Sequence, residues 1–274
     1  MEVSIDTGQV RLRCIQAGNP DHPLVVFLHG FPACAKTWKR ILPEVAKAGF
    51  HCMAPDQRGY GESSTPPNVA DYSVVKLAAD VAAIIGDKKA HVVGHDFGGG
   101  VAWATAMMHP DRVRTVSILN AVHPVGFEQA MKRWSQLKNS WYVFFFQLPW
   151  VPEWWLARNI RRLLKEDGVA DEYVDDFVHA LHAKPAIDWY RASFRDGIRK
   201  RLKVSKVEHP ALVVWGEAER HLERDLSIPP KEWVTNARTE YVQNAGHWVH
   251  HDSPDRVTEL ILTHFQRGLD ELPK

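Results

Sequence analysis

Val-Val-Gly-His-Asp-Phe-Gly-Gly-Gly, at residues 92–100, places an acidic residue, Asp96, where a sharp turn from strand to helix would display a nucleophile. Glycines two positions to either side of Asp96 let the strand and the helix approach closely and tolerate strained backbone angles. Serine is the more usual residue at the centre of such a nucleophile elbow. A carboxylate that attacks a saturated carbon forms an ordinary ester. A carboxylate that attacks an amide would form an anhydride, which is too reactive to be a productive intermediate. The elbow therefore predicts a hydrolase that opens epoxides or displaces halides.

Short apolar runs alternate with helical patterns along most of the chain. Leu77, Val81 and either Ile84 or Ile85 repeat at helical spacing within residues 74–85. A second helix is predicted for residues 101–109, where Pro110 ends it. Apolar runs typical of buried parallel strands occur at residues 24–28, 51–54, 90–93, 113–119, 212–215 and 239–242. This alternation predicts an α/β fold.

The alternation of strands and helices stops between residues 125 and 206. That segment holds six of the eleven tryptophans, and its periodicity is helical without a strand candidate. We therefore predict a helical cap at residues 125–206, inserted into an α/β core of residues 1–124 and 207–274. The basic stretch at residues 195–206 is expected to form a solvated return from the cap to the core. Residues 141–150 are strongly aromatic but too few to cross a membrane, which takes about 20 apolar residues.

Composition limits the partners and the location of the protein. The 274 residues are 45% hydrophobic, enough for a large core. A formal charge of only +1 predicts neither a nucleic-acid partner nor a membrane partner. Cys14, Cys34 and Cys52 are odd in number and lack metal-ligand spacing, which predicts reduced thiols. Residues 1–6 lack the features of a secretion signal, so the predicted location is cytoplasmic.

Four short motifs occur in a fixed order along the chain. They are His-Gly-Phe-Pro at residues 29–32, Asp-Gln-Arg-Gly-Tyr-Gly-Glu-Ser at 56–63, the elbow, and Asn-Ala-Gly-His-Trp at 244–248. In this order and spacing, the sequence resembles the α/β-hydrolase-fold epoxide hydrolases of the bacterial soluble type. The resemblance covers the core almost from end to end. It implies a mostly parallel central sheet flanked by helices, with an inserted helical cap.

Hydrolysis of an ester on Asp96 requires a general base within hydrogen-bond reach of the attacking water. His247 is the candidate, because it follows the last predicted strand and the fold has the order nucleophile, acid, histidine. Backbone amides would stabilise the negative charge that builds on the carboxylate-derived oxygen. The fold assigns one such donor to the amide of Phe97, and the resemblance assigns the other to Phe31. The resemblance also implies a cis peptide bond between Phe31 and Pro32.

The histidine needs an acid that holds its tautomer and stabilises its charged form. Related enzymes have Trp-Gly-Glu-x-Asp after the strand that follows the cap, whereas residues 215–220 are Trp-Gly-Glu-Ala-Glu-Arg. Glu219 falls at the Asp position and is the predicted acid, with Glu217 and Asp225 as alternatives. A surface ion pair between Glu219 and Arg220 is the competing structural role.

An opened epoxide is an alkoxide, a poor leaving group unless O–H donors protonate it or hydrogen-bond to it. By resemblance, the two cap tyrosines that supply these donors match Tyr142, in a Tyr-x-x-x-Phe-Gln-x-Pro context, and Tyr190, in a Trp-Tyr-Arg context. The aromatic cluster of the cap predicts an apolar cavity, with Phe146, Trp189 and Trp248 as its lining. The predicted ligands are a small hydrophobic epoxide and water.

Several other polar residues are assigned structural roles. His29 and Arg58 are expected to brace the loops around the site. His250 and His251 are expected at surface positions at the start of a helix. No third ligand accompanies these two histidines, so no metal site is predicted, and the chemistry requires no cofactor.

Two other functions remain open at this point. A haloalkane or haloacid dehalogenase uses the same nucleophile but typically carries Trp or Arg directly after it, where this chain has Phe97. A non-catalytic hydrolase-fold binding protein would keep the pocket, and the departure at Glu219 is its only support. The oligomeric state, monomer or homodimer, is also open, because a sequence does not separate exposed patches from the core.

Overall fold

The computed structural model describes residues 1–196 and 204–270. Within them, eight strands form one sheet: β1 Glu2–Asp6, β2 Arg11–Ala17, β3 Leu24–Leu28, β4 His51–Pro55, β5 Ala90–His95, β6 Val113–Leu119, β7 Ala211–Gly216 and β8 Ala237–Val242. Their order across the sheet is β1-β2-β4-β3-β5-β6-β7-β8. The β1–β2 and β2–β4 pairs are antiparallel, and the other neighbouring pairs are parallel.

The α-helices of the described residues lie mostly between the parallel strands and in one long segment between β6 and β7. They are α1 Ile41–Lys47, α2 Val74–Ile85, α3 Phe97–Met108, α4 Pro124–Ala130, α5 Trp134–Asn139, α6 Trp141–Phe145, α7 Val151–Glu166, α8 Asp171–Ala180, α9 Ala183–Asp196, α10 Val249–Asp252 and α11 Pro254–Asp270.

Alternate side chains of the central strands enter two separate hydrophobic layers. In β3, Val26 and Leu28 pack in the layer that contains α2 and α3 side chains, whereas Val25 and Phe27 pack in the layer of α1 and α11. Every residue of β3, β4 and β5 is buried, as expected for strands covered on both faces. Side chains for chemistry therefore have to come from the loops at the strand ends.

The six predicted strands and both predicted helices are present, and β3, β6 and α2 have the predicted bounds. The α/β fold class is confirmed. The hairpin of β1 and β2 was not predicted. A period of two was available as a signal, because Leu12 and Cys14 of β2 are buried while Arg11 is exposed.

Between β6 and β7, the described residues form α4 to α9 and no strand. The division into a core and a cap at residues 125–206 remains a prediction. The basic stretch predicted to return to the core, residues 195–206, includes residues 197–203, which lie outside the described residues. No helix of the described residues is long and apolar enough to cross a membrane.

Candidate active site

Asp96 occupies the turn between β5 and α3. Its φ of 52° and ψ of −123° lie where residues other than glycine are rarely found. A Cβ atom added at Gly94 or at Gly98 would lie 2.3 Å from a backbone oxygen in each case. The turn therefore requires glycine at both positions, and the predicted elbow is present.

Two backbone amides hold the Asp96 carboxylate. The Phe31 amide donates to Oδ1 at 2.9 Å, and the Phe97 amide also hydrogen-bonds to the carboxylate. The peptide bond between Phe31 and Pro32 is cis, as the resemblance implied. A Cβ at Gly30 would lie 2.5 Å from the Asp96 side chain, so the absence of a side chain there permits the close approach.

His247 lies between two carboxylates. Its Nδ1 is 2.7 Å from Oε2 of Glu219, and its Nε2 is 3.7 Å from Oδ2 of Asp96. Its Nε2 therefore faces the carboxylate oxygen that does not contact the Phe31 amide. An Nδ1–H donated to Glu219 leaves Nε2 aimed at the nucleophile.

Glu219 is the carboxylate that the fold brings to His247, and its side chain is 2% exposed. The Asn120 side chain donates to its Oε2 at 2.6 Å, and the His221 amide donates to its Oε1 at 2.7 Å. The two alternatives lie elsewhere, since Asp225 is paired with Arg133 and Glu217 with Arg224. The surface ion pair with Arg220 is absent from this buried arrangement.

The charges of this site shift the pKa values of its members. Burial raises the pKa of Asp96, although the His247 charge and the two amides oppose the shift. Burial disfavours charged His247, but Glu219 and Asp96 outweigh it and raise the pKa of His247 to about 9. Burial also favours neutral Glu219, yet His247 lowers the pKa of Glu219 to about 2. At neutral pH, Glu219 is therefore ionised and His247 is protonated.

Tyr142 and Tyr190 meet on the other side of the cavity. They come from α6 and α9, and their rings pack edge to face with centroids 5.7 Å apart. Their hydroxyls are close enough for each to influence the pKa of the other. Burial and the nearby Asp96 charge raise the pKa of both phenols, so both remain O–H donors at neutral pH.

One cavity of about 420 Å³ joins these groups. Its polar side contains Asp96, His247 and the two tyrosines. Its apolar lining comes mostly from the segment between β6 and β7 and includes Phe31, Phe146, Trp155, Leu156, Ile160, Leu163 and Leu164. The lining predicts an apolar ligand that presents a reactive carbon to Asp96.

A family model described as the α/β hydrolase fold matches residues 23–254. The chain belongs to this family. It is 30% identical to epoxide hydrolase A of Mycobacterium tuberculosis, with 97% of each chain covered. It is 32% identical to the AB hydrolase superfamily protein YfhM of Bacillus subtilis, with 96% of each chain covered. The crystal structure of epoxide hydrolase A from Mycobacterium thermoresistibile superposes with a TM-score of 0.83 at 28% identity, covering 97% of this chain and 98% of that one. The resemblance inferred from the motifs is confirmed.

Of the three aromatic residues predicted to line the cavity, this α/β hydrolase places only Phe146 there. Trp189 is fully buried beneath the site, where its indole N–H donates to the Arg58 carbonyl at 3.1 Å. Trp248 is buried beside His251, and its N–H donates to Asp167. Neither indole is among the side chains that line the cavity, since the Trp189 ring packs against Phe97 and the Trp248 ring packs against His247.

The surface positions predicted for His250 and His251 are also wrong. Both are buried in α10, and the Thr37 hydroxyl lies 2.7 and 2.8 Å from their Nε2 atoms. The Tyr173 ring stacks on His251 at 3.9 Å. Burial lowers the pKa of both histidines, so they pack as neutral rings. Within the described residues, no group of three or more potential ligands could hold a metal ion.

His29 and Arg58 contact the framework of the site. His29 Nε2 accepts a hydrogen bond from the Gln57 amide at 3.0 Å. The Arg58 guanidinium forms two bonds to Asp80, at 2.6 and 2.7 Å, and is 1% exposed. These contacts agree with the bracing roles predicted for both residues.

Sequence reasoning missed two polar side chains beside His247. His221 lies edge-on to the His247 ring, with centroids 5.0 Å apart. Oδ1 of Asp167 lies 2.5 Å from Nε2 of His221. Both line the cavity, and the Asp167 charge contributes to the raised pKa of His247. His221 was detectable as the second residue after Glu219. Asp167 had no local signal, because it directly follows α7 and is 54 residues away from His221 in sequence.

Proposed function

We propose that this α/β hydrolase adds water to a small hydrophobic epoxide and releases a vicinal diol. The observation that carries the proposal is the pair of protonated phenols, Tyr142 and Tyr190, in the same cavity as Asp96. A carboxylate nucleophile opposite two acidic O–H donors suits a reaction whose leaving group is an oxygen anion. In this proposal, α4 to α9 form a cap that brings both phenols over the elbow.

In the first step, the Oδ2 atom of Asp96 attacks an oxirane carbon. Oδ1 remains bonded to the Phe31 amide, which leaves Oδ2 as the free oxygen on the cavity side. The carbon–oxygen bond of the ring breaks, and its electron pair stays on the epoxide oxygen. Tyr142 and Tyr190 hydrogen-bond to that oxygen, and one of them transfers its proton. The product is a hydroxyalkyl ester of Asp96.

In the second step, His247 takes a proton from a water molecule that attacks the ester carbonyl. Negative charge then develops on Oδ1, where the amides of Phe31 and Phe97 already point. Collapse of the tetrahedral intermediate breaks the bond to the ester oxygen, which takes the second proton of the attacking water and leaves with the diol, and this regenerates the Asp96 carboxylate. The proton taken up by His247 restores the tyrosine that was deprotonated in the first step. Glu219 stabilises the imidazolium that forms on His247.

The proposed sequence also accounts for the protonation state of His247. In the free enzyme, the Asp96 charge helps to hold the proton on the imidazole. Ester formation removes that charge, so the pKa of His247 falls once Asp96 is alkylated. The imidazole can then lose its proton and act as a base in the step that requires one.

A single turnover of styrene oxide in water enriched in ¹⁸O tests this route. Ester hydrolysis places the label in the Asp96 carboxylate, since water attacks the carbonyl carbon, and the diol acquires the unlabelled oxygen of Asp96. Mass analysis of the peptide containing Asp96 measures the incorporation. Labelled diol with unlabelled Asp96 would refute the ester intermediate.

A second experiment separates the two steps. His247→Gln retains the nucleophile and both phenols, so it is expected to form the ester and stall. Intact-mass analysis should show a stoichiometric adduct that is absent from Asp96→Asn. An inactive His247→Gln variant without adduct would contradict the assignment of His247 as the base. Incubation with 1-chlorobutane tests the dehalogenase alternative, and halide release at a rate comparable with diol formation would favour it.

A further inference from the structure

The segment between residues 131 and 165 carries a concentration of exposed apolar side chains. Ten large apolar side chains are exposed in the described residues, and seven of them lie in this segment. We call these seven the cap aromatic surface: Trp134, Trp141, Phe144, Leu148, Trp150, Val151 and Trp154. Trp150 is 81% exposed. Isolated exposed apolar residues are ordinary, but a concentration of this kind indicates a binding surface.

The same segment has a charge that the whole-chain value conceals. It contains seven Lys or Arg residues and one Glu, a formal charge of +6, so the rest of the chain carries −5. Four of these cations, Arg133, Arg161, Arg162 and Lys165, have acidic partners. Within residues 1–196 and 204–270, Lys132, Lys138 and Arg158 form no ion pair. These three cations are available to an external anion.

Two of the available cations lie on the exposed aromatic rings themselves. The Lys138 ammonium is 5.7 Å from the Trp134 ring centroid, and the Arg158 guanidinium is 4.5 Å from that of Trp154. In both pairs, positive charge therefore lies directly beside an exposed indole. Indole rings favour the headgroup level of a bilayer, and Lys or Arg beside them favours anionic lipids.

The cap aromatic surface reaches the active-site cavity. Trp141 is exposed and also lines the cavity. The neighbouring Phe145 ring packs against Trp155, another lining residue, with centroids 5.5 Å apart. An apolar molecule dissolved in a bilayer at this surface would therefore lie beside the cavity lining.

We propose that the cap aromatic surface binds the surface of an anionic lipid bilayer. A second copy of this chain is the main alternative occupant. A two-fold interface through this surface would bring Lys138 and Arg158 close to the same cations of the partner, and this repulsion disfavours it. An anionic headgroup layer complements these cations, and its interface accommodates the indoles. The proposal concerns a surface outside the catalytic groups and does not require the proposed reaction.

Vesicle sedimentation with the full chain tests the proposal. At low salt, we expect partition onto vesicles of phosphatidylglycerol and phosphatidylcholine, weaker partition onto phosphatidylcholine alone, and release at high salt. Lys138→Gln with Arg158→Gln should weaken the partition about 25-fold, since each cation contributes about fivefold. Trp150→Ser with Trp154→Ser should weaken binding to both kinds of vesicle.

Matched controls lie away from the cap aromatic surface. Lys88→Gln with Lys89→Gln removes two exposed charges before β5, and Ile228→Ser removes an exposed apolar side chain. Neither control should change vesicle binding, and the melting temperature of every variant verifies folding. Absence of binding to anionic vesicles at low salt, or equal binding by surface and control variants, would overturn the proposal. A concentration-dependent dimer that the tryptophan variants dissociate, without vesicle binding, would assign the surface to a second copy.

Discussion

Replacement of Glu219 by Gln tests the electrostatic coupling on which the proposed second step depends. The substitution keeps the size of the side chain and an oxygen that can accept from His247 Nδ1, but it removes the negative charge. Alkylation of Asp96 needs no base, so the first step should proceed at nearly its normal rate. Ester hydrolysis should slow, because the imidazolium that forms on His247 loses its main source of stabilisation.

The raised pKa of His247 sets the size of the expected effect. The site moves that pKa from 6.5 to about 9. At about 1.4 kcal/mol for each pKa unit, the imidazolium is stabilised by about 3 kcal/mol, which corresponds to roughly a few hundredfold in rate. Asp96 and Asp167 contribute part of the shift. We therefore expect Glu219→Gln to slow ester hydrolysis by on the order of 100-fold.

Rapid-quench kinetics with intact-mass detection measures both steps. Glu219→Gln should accumulate the ester in a burst that the wild type does not show. The rate of ester hydrolysis rises with pH as His247 loses its proton, and the midpoint of this rise should move to lower pH in the variant. Glu217→Gln and Asp225→Asn are matched controls that remove the alternative carboxylates and should behave like the wild type. Hydrolysis within threefold of the wild-type rate in Glu219→Gln, or a large loss in either control, would refute the assignment.

Three further predictions concern other parts of the site. Tyr142→Phe and Tyr190→Phe should each slow ester formation by about 10- to 100-fold in single-turnover experiments, and unchanged ester formation in the double variant would contradict their role as donors. Gly98→Ala should lower the melting temperature sharply, because its Cβ would lie 2.3 Å from a backbone oxygen, whereas Gly100→Ala, with no atom within 4 Å, should not; equal melting temperatures would disprove the steric argument. The raised pKa of His247 stabilises the fold fully below pH 6.5, and this contribution should be lost as the pH rises through about 9. Urea denaturation of the wild type and His247→Gln should show this alkaline loss only in the wild type, and parallel curves would refute it.

Local patterns predicted the regular elements of the core because burial imposes period and composition on a sequence. The bounds of α2 follow from apolar residues at helical spacing, and those of β3 from a short apolar run. The β1–β2 hairpin lacks the continuous apolar run that marks the buried strands, and the period of two in β2 was the only local signal for it. Only pairing with β4 covers the second edge of β2 and identifies it as part of the sheet.

The placement of large aromatic and histidine side chains was harder to predict. Trp189 and Trp248 suit a cavity wall by composition, yet both indoles are buried and donate to acceptors from distant segments, the Arg58 carbonyl and the Asp167 carboxylate. His250 and His251 follow a polar loop, yet Thr37 and the Tyr173 ring provide a buried environment for them. These partners are distant in sequence, so no local pattern could indicate the burial.

The elbow at Asp96, the alternation of strands and helices around it and the order of the site residues can all be read from the amino-acid sequence. Those features depend on local sterics and on the periodicity of burial, which neighbouring residues encode. Tertiary structure alone decided which carboxylate reaches His247, how Asp167 and His221 join the site, and where the exposed tryptophans gather. Each of these depends on side chains from distant segments, whose distances and shared charges exist only after the chain has packed.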